Sequence, residues 1–168
     1  GHERPVAEAV VEWFQIAGID ARVQLISDES ANAIGVLLGT GDRAGGGRSL
    51  ILNAHMDTEG GLPAGGSKEN LRLRATWEEG DMLIGKGLVN DKAQLCAQMI
   101  AARAIKNAGI KLKGDLIVTG VAQETGSPVD EASPWSLRDP MAGPHTREGY
   151  GTRWLIDRGV VADYALVG

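Results

Sequence analysis

The chain is poor in the residues that mark several broad classes of protein. Cys96 is its one cysteine in 168 residues, so no intrachain disulfide can form and nothing requires an oxidising compartment. The cytoplasm is the expected location. Lys and Arg number 17 against 22 Asp and Glu, leaving a net charge of -5 and a pI near 5.2. A surface of that sign carries no electrostatic footprint for nucleic acid or for an anionic membrane. No apolar run approaches the roughly 20 residues of a membrane span, and Gly1-His2-Glu3-Arg4 does not open a signal peptide. There is no initiator Met either, so a true N-terminus is expected to lie further upstream. Polyanions are not the expected partners.

What is present reads as one α/β domain, with a hydrophobic content of 43%, ordinary for a globular chain. Val6, Val10, Val11, Phe14 and Ile16 recur at near-helical spacing before Gly18, predicting a helix from about Pro5 to Ala17. Ala21 to Ile26, Ala33 to Leu38 and Ser49 to Ala54 are β-like runs, with the Gly39 to Gly47 stretch read as a surface hairpin loop. The Glu59 to Asn70 segment is loop-like, and short strands are expected around Trp77. From Asp91 to Ala108 the period becomes helical, with Leu95, Met99, Ala102 and Ile105 on one face and apolar residues nearly all round, which predicts burial against a sheet. Asp115 to Val121 and Val161 to Val167 read as strands, Thr152 to Arg158 as a helix, and Ser127 to Tyr150 as irregular. Strands alternating with helices predict a sheet covered by helices. The last strand runs into Gly168, where such a domain would continue, so the polypeptide is expected to be a fragment.

Two glycine-rich elements are set aside. Gly39-Thr-Gly41-Asp-Arg-Ala-Gly45 approximates a dinucleotide fingerprint, but a strand follows it where a helix is needed. Gly80 to Lys86 has the spacing of a phosphate loop, but its interior is apolar and Gly87 replaces the Mg-binding hydroxyl.

Three segments carry chemistry. In Leu50-Ile-Leu-Asn-Ala-His55-Met56-Asp57 an apolar strand delivers a His and an Asp to its end, where i and i+2 side chains share a side. His55 is then a candidate metal ligand and Asp57 the carboxylate that orients it. Asn90 and Asp91 open a helix, and Gln123-Glu124 follow a buried strand. Each has an ordinary reading: a strand-end histidine, helix caps, an exposed carboxylate. Together they fall at strand C-termini and a helix start of one α/β unit, where ligands and catalytic groups gather.

These residues resemble the metal-dependent amidohydrolases that include acetylornithine deacetylase, succinyl-diaminopimelate desuccinylase, aminoacylase and glutamate carboxypeptidase. The resemblance spans His55-Met-Asp57-Thr58, Gly85-x-Gly87 with Lys92, the strand before Glu124 and Gly126, and Ala162 to Gly168. It implies a three-layer α/β/α sandwich with a mixed sheet, incomplete in this chain, as in di-zinc exopeptidases. Residues 1–168 would be the N-terminal part of the catalytic domain, without the lid or dimerisation domain. It further implies one or two divalent ions, Zn or else Mn, and a metal-bound water that cleaves the C–N bond of an N-acyl amino acid or related molecule. By resemblance His55 and Glu124 are metal ligands and Asp57 is the partner of His55. The remaining segment of the protein would complete the site, and the complete protein would be a homodimer.

Two positions depart from the family pattern. Asn90 stands where the bridging Asp is expected, with Asp91 one place later, so either is a candidate ligand. Gln123 occupies the place of the general base and cannot accept a proton; Glu131 is a candidate replacement. The family's cis peptide would correspond to Asn90-Asp91 or Asp91-Lys92. An activated amide or an amine is therefore a further substrate candidate, and a non-catalytic relative that binds a metal or small molecule is the alternative reading.

Overall fold

Chain order and chain neighbourhood diverge at the centre of the sheet. The structure, a computed structural model, describes residues 3–41, 47–58, 76–125 and 149–168. Helix α1 spans Arg4–Ile16 and is followed by strands β1 (Asp20–Leu25), β2 (Ala31–Leu37) and β3 (Leu50–His55). A small hairpin, β4 (Trp77–Glu79) and β5 (Met82–Ile84), precedes an irregular turn at Leu88–Lys92 and helix α2 (Ala93–Asn107). Strand β6 (Leu116–Val121), helix α3 (Tyr150–Ile156) and strand β7 (Tyr164–Val167) follow. The main sheet runs in the order β1-β2-β6-β3-β7, with β1-β2 and β2-β6 antiparallel and β3 parallel to both β6 and β7. It is the expected mixed sheet.

The helices cover both faces. Ala7, Val10, Val11 and Phe14 form the apolar stripe of α1, spaced so that one face meets the sheet. Gly18, at φ 69, turns the chain out of the helix in the left-handed conformation that glycine adopts without penalty. The stripe joins Leu95, Met99 and Ala102 of α2 and Ala31, Leu52, Met56 and Val118 from the sheet side in one core. On the opposite face Leu155 of α3 packs with Ile34, Val121 and Val160. Three layers result, in agreement with the expected architecture.

One expectation is corrected. The segment after β2 does not form a hairpin, because β6 lies between β2 and β3. Instead the chain crosses the lower end of β6. Thr40 and Gly41 donate their N–H groups to the Leu112 and Lys113 carbonyls at 2.8 and 2.9 Å, and Gly39 donates to Asp115 Oδ1 at 2.8 Å. The crossing is so tight that a Cβ on Gly114 would stand 1.9 Å from the Arg48 carbonyl oxygen. Helix α2 packs against the sheet as expected, through Leu95, Met99 and Ala102, and its other face is open to solvent. Cys96 and Ile100 are exposed, the latter at 54%, while Leu95 is buried. Much of its outward face is alanine, which favours helix through propensity and presents little apolar area. The expected loops at 59–70 and 127–148 lie outside the described residues. No helix among those described is long and apolar enough to cross a membrane.

The crossing gives a test of the topology. Gly114→Ala forces backbone against backbone and is expected to destabilise the protein by about 1–3 kcal/mol, the usual range for overpacking. A lowered urea midpoint at unchanged slope would show this, and an unaltered midpoint would contradict the crossing.

Candidate metal centre

Parallel pairing of β3 with β6 brings two strand ends level: His55 is in register with Val121, and Met56 N–H donates to the Val121 carbonyl at 2.8 Å. Beyond that edge the chain leaves the sheet on both strands, and the side chains of the site gather there. His55 is 5% exposed. Its Nδ1 lies 3.0 Å from the Asp57 main-chain oxygen and 3.5 Å from Asp57 Oδ1. Both are acceptors, so Nδ1 carries the proton and donates. Nε2 then offers a lone pair, and it faces two further oxygens, Asn90 Oδ1 at 2.8 Å and Glu124 Oε2 at 3.6 Å.

A lone pair confronting an amide oxygen and a carboxylate is mutually repulsive. A cation among the three relieves this, and imidazole with two oxygens is a donor set that Zn and similar ions accept. A second proton on the ring relieves it too, so the fit rests on the donor set. His55, Asn90 and Glu124 therefore suit one divalent ion. Among the described residues there is no group of three His, Cys, Asp or Glu arranged to hold a metal. The third donor here is an amide.

Asp57 reaches this position by a route that strand alternation does not describe. Strand β3 stops at His55, and Asp57 is turned by the following loop. Its Oδ1 accepts the Glu124 N–H at 3.1 Å, and its Oδ2 accepts the Thr125 N–H at 2.8 Å and the Thr125 hydroxyl. Burial acts to raise its pKa, but the Thr125 hydroxyl, the Thr125 and Glu124 main-chain N–H groups and its own N–H together hold it below the usual carboxylate value. Asp57 thus ties the end of β3 to the end of β6 and stays ionised beside the imidazole. Lys92 donates to the Asp57 main-chain oxygen at 3.3 Å and to Thr58 Oγ1. Burial lowers its pKa, opposed by the charge of Asp57.

Asn90 and Asp91 part company at this point. The Asn90-Asp91 peptide is cis, and both residues leave helical φ/ψ. Asn90 points its amide at His55 Nε2, whereas Asp91 lies behind, where its Oδ2 accepts the His55 main-chain N–H at 3.1 Å. Gln123, at φ 55, turns the other way: its Nε2 donates to Ser30 Oγ at 3.1 Å, and Ser30 donates to Glu3 Oε2 at 2.7 Å. Of the six candidates, His55, Asp57, Asn90 and Glu124 come together, Asp91 abuts them through the main chain, and Gln123 is directed elsewhere. Glu131 and Gly126 lie outside the described residues.

Two contributors were not anticipated. Thr125 grips Asp57, and Asn32 of β2 receives the Ala122 N–H at 3.0 Å while donating to the Gly151 carbonyl at 2.9 Å. Asn32 is fully buried. A signal existed for it, an amide side chain between the apolar Ala31 and Ala33; Thr125 had none beyond adjacency to Glu124.

Comparison with known proteins bears on the family and the fold. The sequence pattern of peptidase family M20/M25/M40 matches residues 51–165. The fold is similar to that of a glutaminyl cyclase from Bacteroides thetaiotaomicron bound to N-acetylhistamine, with TM-score 0.61 and 13% identity over 98% of this chain and 52% of that one. A Zn-dependent exopeptidase from Parabacteroides distasonis gives TM-score 0.58 and 14% identity over 98% and 52%. The aminopeptidase PepT from Bacillus cereus gives 0.52 and 21% over 73% and 32%. At these identities the likeness concerns the fold, and the chain spans between about a third and about a half of those structures. The sequence match, by contrast, runs from β3 into β7 and takes in every segment that meets at His55, so the chain belongs to peptidase family M20/M25/M40.

Proposed function

We propose that residues 1–168 are the N-terminal part of the catalytic domain of a metal-dependent hydrolase that cleaves a C–N bond. The substrate is read as a small molecule, the amide of an N-acyl amino acid or a relative with a more activated carbonyl or amine. The observation that carries this is His55 itself: its Nδ1 proton is engaged by Asp57, and its Nε2 faces Asn90 and Glu124 oxygens. A bound Zn2+, or Mn2+ as the second candidate, would polarise the carbonyl and activate water. The chain's own residues do the rest. Asp57 fixes the tautomer and the ring plane, Asn90 and Glu124 present oxygens to the ion, and Lys92 keeps the Asp57 loop against the end of α2. The remaining segment of the protein, with a lid that mediates a homodimer, completes the site in this reading, and the cytoplasm is its compartment.

One observation favours a second reading, a relative that binds without turnover. Gln123 holds the place of the general base, and its amide is engaged with Ser30. An amide takes no proton, and general acid–base catalysis contributes about 10² to 10⁴ in rate. Hydrolysis by this protein is therefore expected to be confined to substrates with a good leaving group.

Metal content tests the first reading. Elemental analysis of the intact protein is expected to show close to one Zn or Mn per chain, lost together with any turnover on chelation. Metal content unchanged in His55→Ala would sink the assignment. Asn90→Asp adds a charged oxygen at 2.8 Å from Nε2 and is expected to tighten binding and move the stoichiometry towards two ions per chain.

Gln123→Glu separates the two readings. Ser30 already donates its one proton to Glu3, so it can receive an N–H from position 123 but not a carboxylate. The new Glu is expelled from that pocket, and kcat on N-acyl amino acids is expected to rise by about 10² to 10⁴ with KM little changed. Complete inactivity of both forms across a panel of amides would favour the binding protein.

A further inference from the structure

The turn that carries Gln123 and Glu124 is held from outside the metal centre. Main-chain pairing between β2 and β6 ends at Ala33 and Gly120, short of Ala122. Asn32 then does with its side chain what the main chain of β2 no longer does. Its Oδ1 accepts the Ala122 N–H at 3.0 Å, and its Nδ2 donates to the Gly151 carbonyl at 2.9 Å and to Gln24 Oε1 at 3.1 Å. The residue is 0% exposed.

Residues 149–151 meet the same turn from its other side. Gly149, Tyr150 and Gly151 donate their N–H groups to the Glu124, Gln123 and Ala122 carbonyls at 3.3, 3.2 and 3.1 Å. Asn32 and this contact close a ring, because Ala122 and Gly151 are bonded both to each other and to one amide side chain. The fit leaves no room for a further carbon: a Cβ on Gly151 would stand 2.2 Å from the Ala122 carbonyl oxygen and 2.8 Å from Asn32 Oδ1.

An amide suits this place for a chemical reason. One oxygen must accept an N–H while both hydrogens of Nδ2 are used, and neither an ionised carboxylate nor an apolar side chain offers that set. An apolar residue would serve a buried strand as well, so what the amide adds is a defined path for the turn. Glu124 depends on that path. Its side chain is 47% exposed and lies 3.6 Å from His55 Nε2, and its main-chain N–H donates to Asp57 Oδ1. With half of the carboxylate arm in solvent, its direction is set by the backbone beneath it.

We propose that Asn32 is a positioning residue for the metal centre: by bridging Ala122 to Gly151 it fixes the main chain at 122–124, and so places the Glu124 carboxylate opposite His55 Nε2. This rests on the metal-centre reading and adds to it a residue that touches neither ion nor substrate.

The experiment titrates Zn2+ into the metal-stripped intact protein by calorimetry with a competing chelator, records the visible spectrum of the Co2+-loaded form, and follows urea unfolding. N32L removes the bridge at similar volume, and G151A pushes the turn from the other side. Both are expected to weaken Zn2+ binding by about 10- to 100-fold, the range for residues that support metal ligands, and to shift the Co2+ bands. V10A, in the α1 layer on the opposite face of the sheet from α3, is the control. It is expected to lower the unfolding midpoint with Zn2+ affinity and Co2+ spectrum unchanged. Zn2+ binding and Co2+ bands in N32L and G151A equal to those of the parent would overturn the assignment, whatever their stability. Failure of both variants to fold would overturn it too, since Asn32 would then be a requirement of the fold. A parent protein that binds no Zn2+ would instead remove the metal centre itself, an outcome distinct from these.

Discussion

Parallel pairing between β3 and β6 is the constraint on which the site depends. Because Leu50 to His55 lie in register with Leu116 to Val121, the two strands end together, and the residues just beyond them are delivered to one edge of the sheet. Asp57 then closes the gap by accepting two main-chain N–H groups and a hydroxyl from Glu124 and Thr125. A slip of one residue between these strands would send His55 to the other face and leave Asp57 without its partners. The hydrophobic layers hold that register: Leu52, Met56 and Val118 lie in the core under α1 and α2, with Val121 under α3.

Buried polar groups reinforce this edge where the ladder gives out. As β6 leaves β2, Asn32 takes over the Ala122 N–H and reaches on to the Gly151 carbonyl at the start of α3. Across the sheet Thr119 donates to Asn53 Oδ1 at 2.6 Å, and Asn53 donates to Thr152 Oγ1 at 3.2 Å. Below Gln123, Ser30 and Glu3 form a further buried link. Such networks specify a geometry when their members are satisfied.

Elements with a strong period were legible in the sequence. The stripe of α1, the apolar runs of β3 and β6 and the helical period after Lys92 are local patterns, and local patterns survive folding when one face is buried. The convergence of His55, Asn90 and Glu124 was legible from two things together, the gathering of strand ends and helix starts of α/β units at one edge and the resemblance of these segments to the amidohydrolase family. What escaped was set by long-range contact. The insertion of β6 between β2 and β3 is decided by loops and a distant strand, and most consecutive strands would have paired directly. The outward face of α2 looked apolar because alanine serves helix propensity as well as burial. Whether Asn90 or Asp91 faced the imidazole turned on the backbone path at one peptide, which neither spacing nor composition encodes.

The two departures from the family pattern share a direction. Asn90 and Gln123 are the amides that match Asp and Glu in shape, so each keeps an oxygen while removing a negative charge. Acids at both positions would add to Asp57, Asp91 and Glu124 around one imidazole, a concentration of charge that a single dication cannot neutralise. With the amides in place the remaining carboxylates are Glu124 at the rim, Asp57 bound by N–H donors and offset by Lys92, and Asp91 enclosed behind. Under the proposed reading Gln123 offers no carboxylate to accept a proton, so a bound ion would have to supply the activation of water.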